Sequence, residues 1–205
     1  MKLLDKDKIN LAEVNEEYFP FFHIENVFSS NTDVSSLVEN FPDIGSGGSF
    51  PTDQIEEGYI KDLVNELESK ELKEILESKF KITLEDSEVV TTLRGHSRAK
   101  DGKIHTDSKS KILTILLYLN PNWNKHQGNL KLLKENNNLN HIIKEISSEF
   151  GNLVAFKVTD NCWHGFEAYE GKRLSIQLNY IYPEALQSHN YRHKISALLK
   201  RLIKR

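Results

Sequence analysis

Cysteine is almost absent from this sequence: Cys162 is the only one in 205 residues. No disulfide can form within the chain, so a small stapled scaffold is excluded and a reducing compartment is expected. Long apolar runs are missing as well. No stretch approaches the roughly 18 to 20 apolar residues that cross a bilayer, so no membrane association is expected. The opening MKLLDKDKIN is polar and lacks the apolar centre of a secretory signal, and the expected location is cytoplasmic. Nor does one sign of charge dominate. The balance of 27 basic and 30 acidic residues leaves a net charge of −3. Nucleic-acid binders carry a basic footprint, so no nucleic-acid partner is expected; only the terminal YRHKISALLKRLIKR is locally basic. Internal repeats are absent. What is present is 38% hydrophobic and 28% charged residues, the composition of a soluble globular chain with enough length for one full core.

The chain reads as a single domain over 1–205, in three stretches. Residues 1–80 form a supporting layer. Within it FPFFHIENVF (19–28) is aromatic and β-branched enough for a strand. Val34, Leu37 and Val38 mark a short helix capped by Ser30, Asn31 or Thr32. Glycine and proline cluster in 42–58, which reads as a loop and a candidate lid. Leu63, Leu67, Ile75 and Leu76 fall near helical spacing in 59–80, which reads as one or two helices with a solvated, charge-alternating face. From 81 to 182 the texture becomes short β-rich runs between turn residues, which suggests a sandwich or barrel. The segment LKENNNLNHIIKEISSEF holds a loop and a strand whose partners the sequence does not identify. Residues 183–205 read as a C-terminal helix with Ile195, Leu198, Leu199 and Leu202 on one face. The expected fold class is therefore α+β, mainly a β core; an eight-stranded double-sheet jelly roll fits the strand count.

Most of the eight histidines have plain readings. His23 sits in an aromatic strand and packs. His126 and His141 lie in polar loops, and His189 and His193 lie near the terminal helix; all four are expected at the surface. His96, in RGHSR, could face the same cavity as His105 in a supporting or substrate-binding role. His105 itself stands in GKIHTDSKSK, two residues before Asp107 and just ahead of the apolar ILTILLYLN. A polar turn before a strand explains that equally well. Yet in extended chain, residues two apart point to one side, so imidazole and carboxylate can converge on one ion. A second histidine from a distant strand would complete the 2-His-1-carboxylate set used by non-haem Fe(II) oxygenases, with positions left open for cosubstrate and O2. His164, in NCWHGFEAYEGKR, is the candidate. Nine residues on, Arg173 opens the alternating run Arg173, Ser175, Gln177, Asn179, a polar strand face inside an apolar core. Such a face calls for a polar ligand, and guanidinium pairs with carboxylates in a bidentate fork.

Taken together, H-x-D, TILLYLNPNW, GNLKLL, GNLVAF and WHGFEAYEGKR resemble the Fe(II)/2-oxoglutarate-dependent oxygenases, and within them the prolyl 4-hydroxylase-like branch. The resemblance covers about residues 89–182, with a weaker echo in YFPFFHIENVFSS. It implies a double-stranded β-helix core of jelly-roll, cupin-like type, with flanking N-terminal helices. It also implies hydroxylation of a C–H bond, coupled to decarboxylation of 2-oxoglutarate to succinate and CO2. Fe(II), 2-oxoglutarate and O2 are the implied cofactor and cosubstrates, with ascorbate keeping the iron reduced. Carried over by position, His105, Asp107 and His164 are the implied iron ligands and catalytic centre. Arg173 and Tyr118 are the implied partners of the distal cosubstrate carboxylate. Gln177 stands where relatives often carry a threonine or another small polar group. The tyrosine that many relatives carry ahead of H-x-D is missing; Gly95 stands there, and Arg94 or Arg98 is the expected substitute.

Trp163, beside His164, either packs or shapes the substrate mouth. Cys162 reads as a small buried residue. Lys100, Lys103, Lys109 and Lys111, with Arg98, make the H-x-D region basic, either as a solvated loop or as a dock for an anionic group of the substrate. The expected substrate is a small molecule, a glycan or an amino-acid unit, with a protein side chain as the other option. Two further readings of the same fold stay open: a non-catalytic module that binds a small acid, and another metal-dependent cupin-type enzyme.

Overall fold

The computed structural model describes residues 2–44 and 48–185. Four short helices precede and pack on a β core. Helix α1 (Lys6–Leu11) starts where the Asp5 carboxylate accepts from Lys8 N, and α2 (Val34–Glu39) starts where Asp33 does the same for Ser36 N. These side-chain caps satisfy amides that a helix start leaves free. In α3 (Tyr59–Leu67), Ile60, Leu63, Val64 and Leu67 recur at helical spacing, and all four are buried. The Ser69 hydroxyl caps α4 (Lys70–Phe80), which buries Leu72, Leu76 and Phe80 and ends at Lys81 in the left-handed conformation. The Glu66 carboxylate accepts from the amides of Leu3 and Leu4 at 2.6 and 2.9 Å and so ties the first residues to α3.

Among the described residues nine strands follow the chain: β1 (Phe21–Ile24), β2 (Phe50–Pro51), β3 (Glu88–Ser97), β4 (Lys111–Tyr118), β5 (Leu130–Leu133), β6 (Ile142–Ile146), β7 (Leu153–Lys157), β8 (His164–Gly165) and β9 (Gly171–Ile181). They form a six-stranded sheet in the order β1-β7-β4-β9-β3-β2 and a three-stranded sheet in the order β6-β5-β8. All pairings are antiparallel. The two sheets form the expected double-stranded β-helix, with nine strands where eight were expected.

Strand alternation gives the large sheet two unlike faces. The outer face carries Leu93, Leu113, Ile115, Leu117, Leu174, Ile176, Leu178 and Tyr180, which join the helices in the main core. Each such side chain removed from water contributes about 1.5–3 kcal/mol. The inner face carries Arg94 opposite Ser175, which faces Tyr118, then Gln177 beside Leu116 and Asn179 beside Thr114. Further along, Phe21, Val154 and Phe156 turn the same face apolar, against Leu130 and Leu132 of the small sheet.

Several sequence readings change. β1 does not merely support the core: Phe21 pairs with Phe156 and Ile24 with Leu153, so a strand from the first stretch completes the large sheet. α1 forms in a segment read only as polar, because its one apolar buried position, Ile9, is outnumbered by polar residues. Loop 42–58 contains the two-residue β2, where Phe50 pairs with Leu93 and Pro51 sits on the sheet edge that tolerates it. The unplaced strand at 142–146 pairs with β5. Of the loop read as a lid, residues 45–47 lie outside the described residues. So do residues 186–205 of the expected C-terminal helix, including His189 and His193. Among the described residues, no helix is long and apolar enough to cross a membrane.

Candidate active site

The open end of the β-helix encloses a cavity of about 330 Å³. Its floor is the polar part of the inner face. Its rim is the 100–107 segment and the loop after β8.

Three ligand-type groups meet there. His105, Asp107 and His164 each offer one donor atom, and these atoms lie within 4.8 Å of one another. The backbone brings them together. His105 and His164 form an antiparallel bridge with two N–H···O bonds of 3.0 Å, so the H-x-D segment extends the small sheet beside β8. The rings are 4.3 Å apart by centroid. Each imidazole donates from Nδ1 to a backbone carbonyl at 2.8 Å, His105 to Lys103 and His164 to Cys162. That bond fixes the tautomer and leaves the Nε2 lone pair free for a metal. Burial lowers the His164 pKa to about 4, which keeps the ring neutral, as ligation requires.

Asp107 is positioned just as firmly. Thr114 donates its hydroxyl to Asp107 Oδ2 at 2.5 Å, and Lys111 Nζ lies 2.9 Å from Oδ1. Burial pushes its carboxyl up, but Lys111, His164 and Thr114 together hold it below its ordinary value. Two neutral imidazoles and one fixed carboxylate are a donor set suited to Fe(II). Sequence reasoning gave Thr114 no role and took Lys111 only as part of a basic run. The signal for Thr114 was its place as the lone aliphatic hydroxyl in ILTILLYL, in phase with Tyr118.

Arg173 sits on the same cavity and is 7% exposed. Its Nε donates to the Gly128 carbonyl at 2.8 Å and the Ser148 hydroxyl at 3.1 Å, and its Nη2 reaches Tyr118 Oη at 3.3 Å. The guanidinium lies over the rings of Phe166 and Tyr118, 4.4 and 5.0 Å from their centroids. No carboxylate pairs with it among the described residues. A buried cation held by neutral groups and aromatic faces is costly unless an anion joins it. Burial raises the Tyr118 pKa, with Arg173 acting the other way, so the phenol stays a hydrogen-bond donor.

Gln177 lines the cavity and donates to Asn179 Oδ1 at 3.2 Å. Arg94 and His96 line it too, with Arg94 Nε and His96 Nδ1 buried and unpartnered. Arg98 is spent elsewhere: its Nη2 pairs with Asp101 Oδ1 at 2.8 Å and its Nε with both carboxylate oxygens. Trp163 is half-buried, its carbonyl accepting from Leu133 N, and the lining of the cavity does not include it. His126 and His141 are exposed, and Cys162 is buried and free. His23 is half-buried and bonded to Asn152.

Comparison with known proteins agrees with this geometry. Residues 93–181 match the family described as the 2OG-Fe(II) oxygenase superfamily. Among solved structures, a Pseudomonas putida prolyl-4-hydroxylase is similar at TM-score 0.58 and 14% identity, covering 86% of this chain and 90% of that one. The viral collagen prolyl hydroxylase of Paramecium Bursaria Chlorella virus-1, in its 2OG complex, matches at TM-score 0.57 and 12% identity, over 82% and 97% of the two chains. HygX from Streptomyces hygroscopicus, with nickel and 2-oxoglutarate bound, matches at 0.56 and 11%, over 88% and 87%. At these identities the likeness is one of fold. No curated protein matches the chain by sequence.

Proposed function

We propose that this chain, whose residues 93–181 match the 2OG-Fe(II) oxygenase superfamily, is such an oxygenase, that His105, Asp107 and His164 hold Fe(II), and that Arg173 and Tyr118 hold the distal carboxylate of 2-oxoglutarate. The protein then hydroxylates a C–H bond of a second substrate. The observation that carries this reading is the pairing within one cavity of a His-Asp-His donor set and a buried arginine without an acid. One dianionic cosubstrate answers both, with one carboxylate for the guanidinium and the other end for the metal.

Bound together, Fe(II) and 2-oxoglutarate supply the oxidising power, drawn from O2, with succinate and CO2 as the by-products. The chain's own part is positioning and exclusion of water. Lys111 and Thr114 fix the Asp107 carboxylate. The Lys103 and Cys162 carbonyls hold the two rings in register. Gly128, Ser148 and the two aromatic rings keep the Arg173 fork from swinging. Leu116, Leu130 and Phe166 supply apolar wall. About 330 Å³, shared with the cosubstrate, suits a small molecule or a single glycan or amino-acid unit.

The test is anaerobic titration of Fe(II) and 2-oxoglutarate into the apo-protein, followed by the weak visible charge-transfer band of the chelate. The band is expected in the wild type, and at modest cosubstrate it is lost in Arg173→Ala. Succinate release in air then separates an oxygenase from a protein that only binds a small acid. No band at saturating cosubstrate would overturn the assignment.

A further inference from the structure

The two carboxylates of 2-oxoglutarate leave one buried guanidinium on the cavity without a task. Arg94 stands on β3 directly across from Ser175, on the inner face. Its Nε is buried with no hydrogen-bond partner, and the same holds for His96 Nδ1 and Ser97 Oγ. All three residues line the cavity. Strict alternation would turn neighbours such as His96 and Ser97 to opposite sides of the sheet. Between Arg94 and His96 the register shifts, with Arg94 opposite Ser175 and His96 opposite Lys172, so β9 carries one extra residue there, a bulge of the kind found next to sites. Gly95 sits in that shift, where a Cβ would come within 2.8 Å of Ile44 Cβ and 2.9 Å of its carbonyl oxygen. Glycine is thus required on β3 opposite the bulge, between Arg94 and the two further orphan polar groups.

The charges point the same way. Five cations line the cavity: Arg94, Lys100, Lys103, Lys111 and Arg173. Lys111 is paired with Asp107, and Asp101, the other lining acid, is paired with Arg98. Arg173 takes the cosubstrate. Arg94, Lys100 and Lys103 have no ion pair among the described residues.

We propose that Arg94, with His96 and Ser97, is an oxyanion subsite for the second substrate, which is a small molecule carrying a carboxylate or a phosphate. Lys100 and Lys103, both exposed, stand at the rim and draw it in. This rests on the oxygenase reading. The Arg94 guanidinium then sets which molecules are hydroxylated, as unpaired buried donors reject analogues that lack the matching group.

The probes are sulfate and acetate, titrated by calorimetry into the anaerobic Fe(II)/2-oxoglutarate complex, with chloride holding ionic strength constant. Saturable binding of at least one anion is expected, and the tighter of the two gives the class of group. Arg94→Gln is expected to weaken it by about tenfold or more, the scale of a lost charge-assisted pair, with Arg94→Lys in between. The cosubstrate affinity of both variants, read from the visible band, is expected to stay within about threefold, which also reports a folded site. A tenfold loss of cosubstrate affinity in Arg94→Gln would overturn the proposal, since Arg94 would then serve 2-oxoglutarate. Anion binding that is absent, or equal in wild type and Arg94→Gln, would overturn it too. A wild-type protein with no visible band fails the oxygenase reading itself, whereas a normal band without an anion site fails only this inference.

Discussion

The two faces of β9 differ in kind. Leu174, Ile176, Leu178 and Tyr180 face the helices and are at most 2% exposed. Arg173, Ser175, Gln177 and Asn179 alternate with them on the inner face, the first three lining the cavity, yet Arg173, Ser175 and Asn179 are themselves nearly as buried. Equal burial therefore carries opposite meanings. On the outer face it is the source of stability. On the inner face it costs desolvation, which is tolerated because hydrogen bonds answer most of the polar atoms and a ligand answers the rest. The lesson is that depth alone does not separate the site from the core; orphan polar groups that also line the cavity do, since the outer-face Tyr180 Oη and Thr91 Oγ1 are buried without partners and do not line it.

The largest expected effect breaks the inner face at its reacting end. Asp107→Ala removes the only carboxylate of the donor set and leaves Lys111 without its ion-pair partner. Cosubstrate turnover, followed as succinate release, is expected to fall by more than about 100-fold, beyond the loss typical of outer partners of a metal. Full turnover would remove Asp107 from the site.

The next effect breaks the outer face alone. Leu178 is fully buried against the helical layer. Leu178→Ala is expected to cost about 2–5 kcal/mol in urea unfolding, the sum of lost transfer and the cavity left behind. Affinity of the folded fraction for 2-oxoglutarate is expected to be unchanged. A parallel loss of affinity would show that the two faces are not independent.

Arg173→Lys sharpens the comparison by keeping the charge and removing the fork. A lysine cannot donate to Gly128 and Ser148 and lie over two rings at once. An increase of about tenfold in the KM for 2-oxoglutarate is expected, with little change in unfolding free energy.

What the sequence made legible follows from the same two faces. Alternation along RLSIQLNY separates them without a structure, and the H-x-D pair and His164 stand out because few chemistries need them in that order. The prolyl 4-hydroxylase-like fold was legible through the family resemblance that the motifs of about residues 89–182 carry together. What stayed hidden depends on distant pairing. Nothing local tells that Phe21 will meet Phe156, or that Ile146 will meet Leu130. The need for glycine at 95 could not be read either, because what crowds it is Ile44, far away in sequence. The roles of Arg94 and Arg98 could not be separated until Asp101 was seen to take one of them.

The smallest effect tests the inner face away from the cavity. His23 lies opposite Val154, in phase with Leu116, at the edge of the large sheet. Its Nε2 donates to Asn152 Oδ1 at 2.7 Å. Burial holds its pKa below the ordinary value, and Lys144 adds to this, while Asn152 and Glu25 oppose it. The unfolded chain therefore takes up the proton first as pH falls. The stability that the neutral ring contributes is full above the unfolded pKa of about 6.5 and is lost as pH drops through the lower folded value. His23→Gln keeps an amide donor and removes the titration. Between pH 7.5 and 5 its melting temperature is expected to fall less than that of the wild type, by an amount worth well under about 1 kcal/mol because solvent screens a half-buried ring. Cosubstrate affinity at pH 7.5 is expected to stay the same. Identical pH profiles would mean that His23 does not couple to folding, whereas a loss of affinity would extend the functional surface across the whole inner face and erase the distinction between its polar floor and its apolar end.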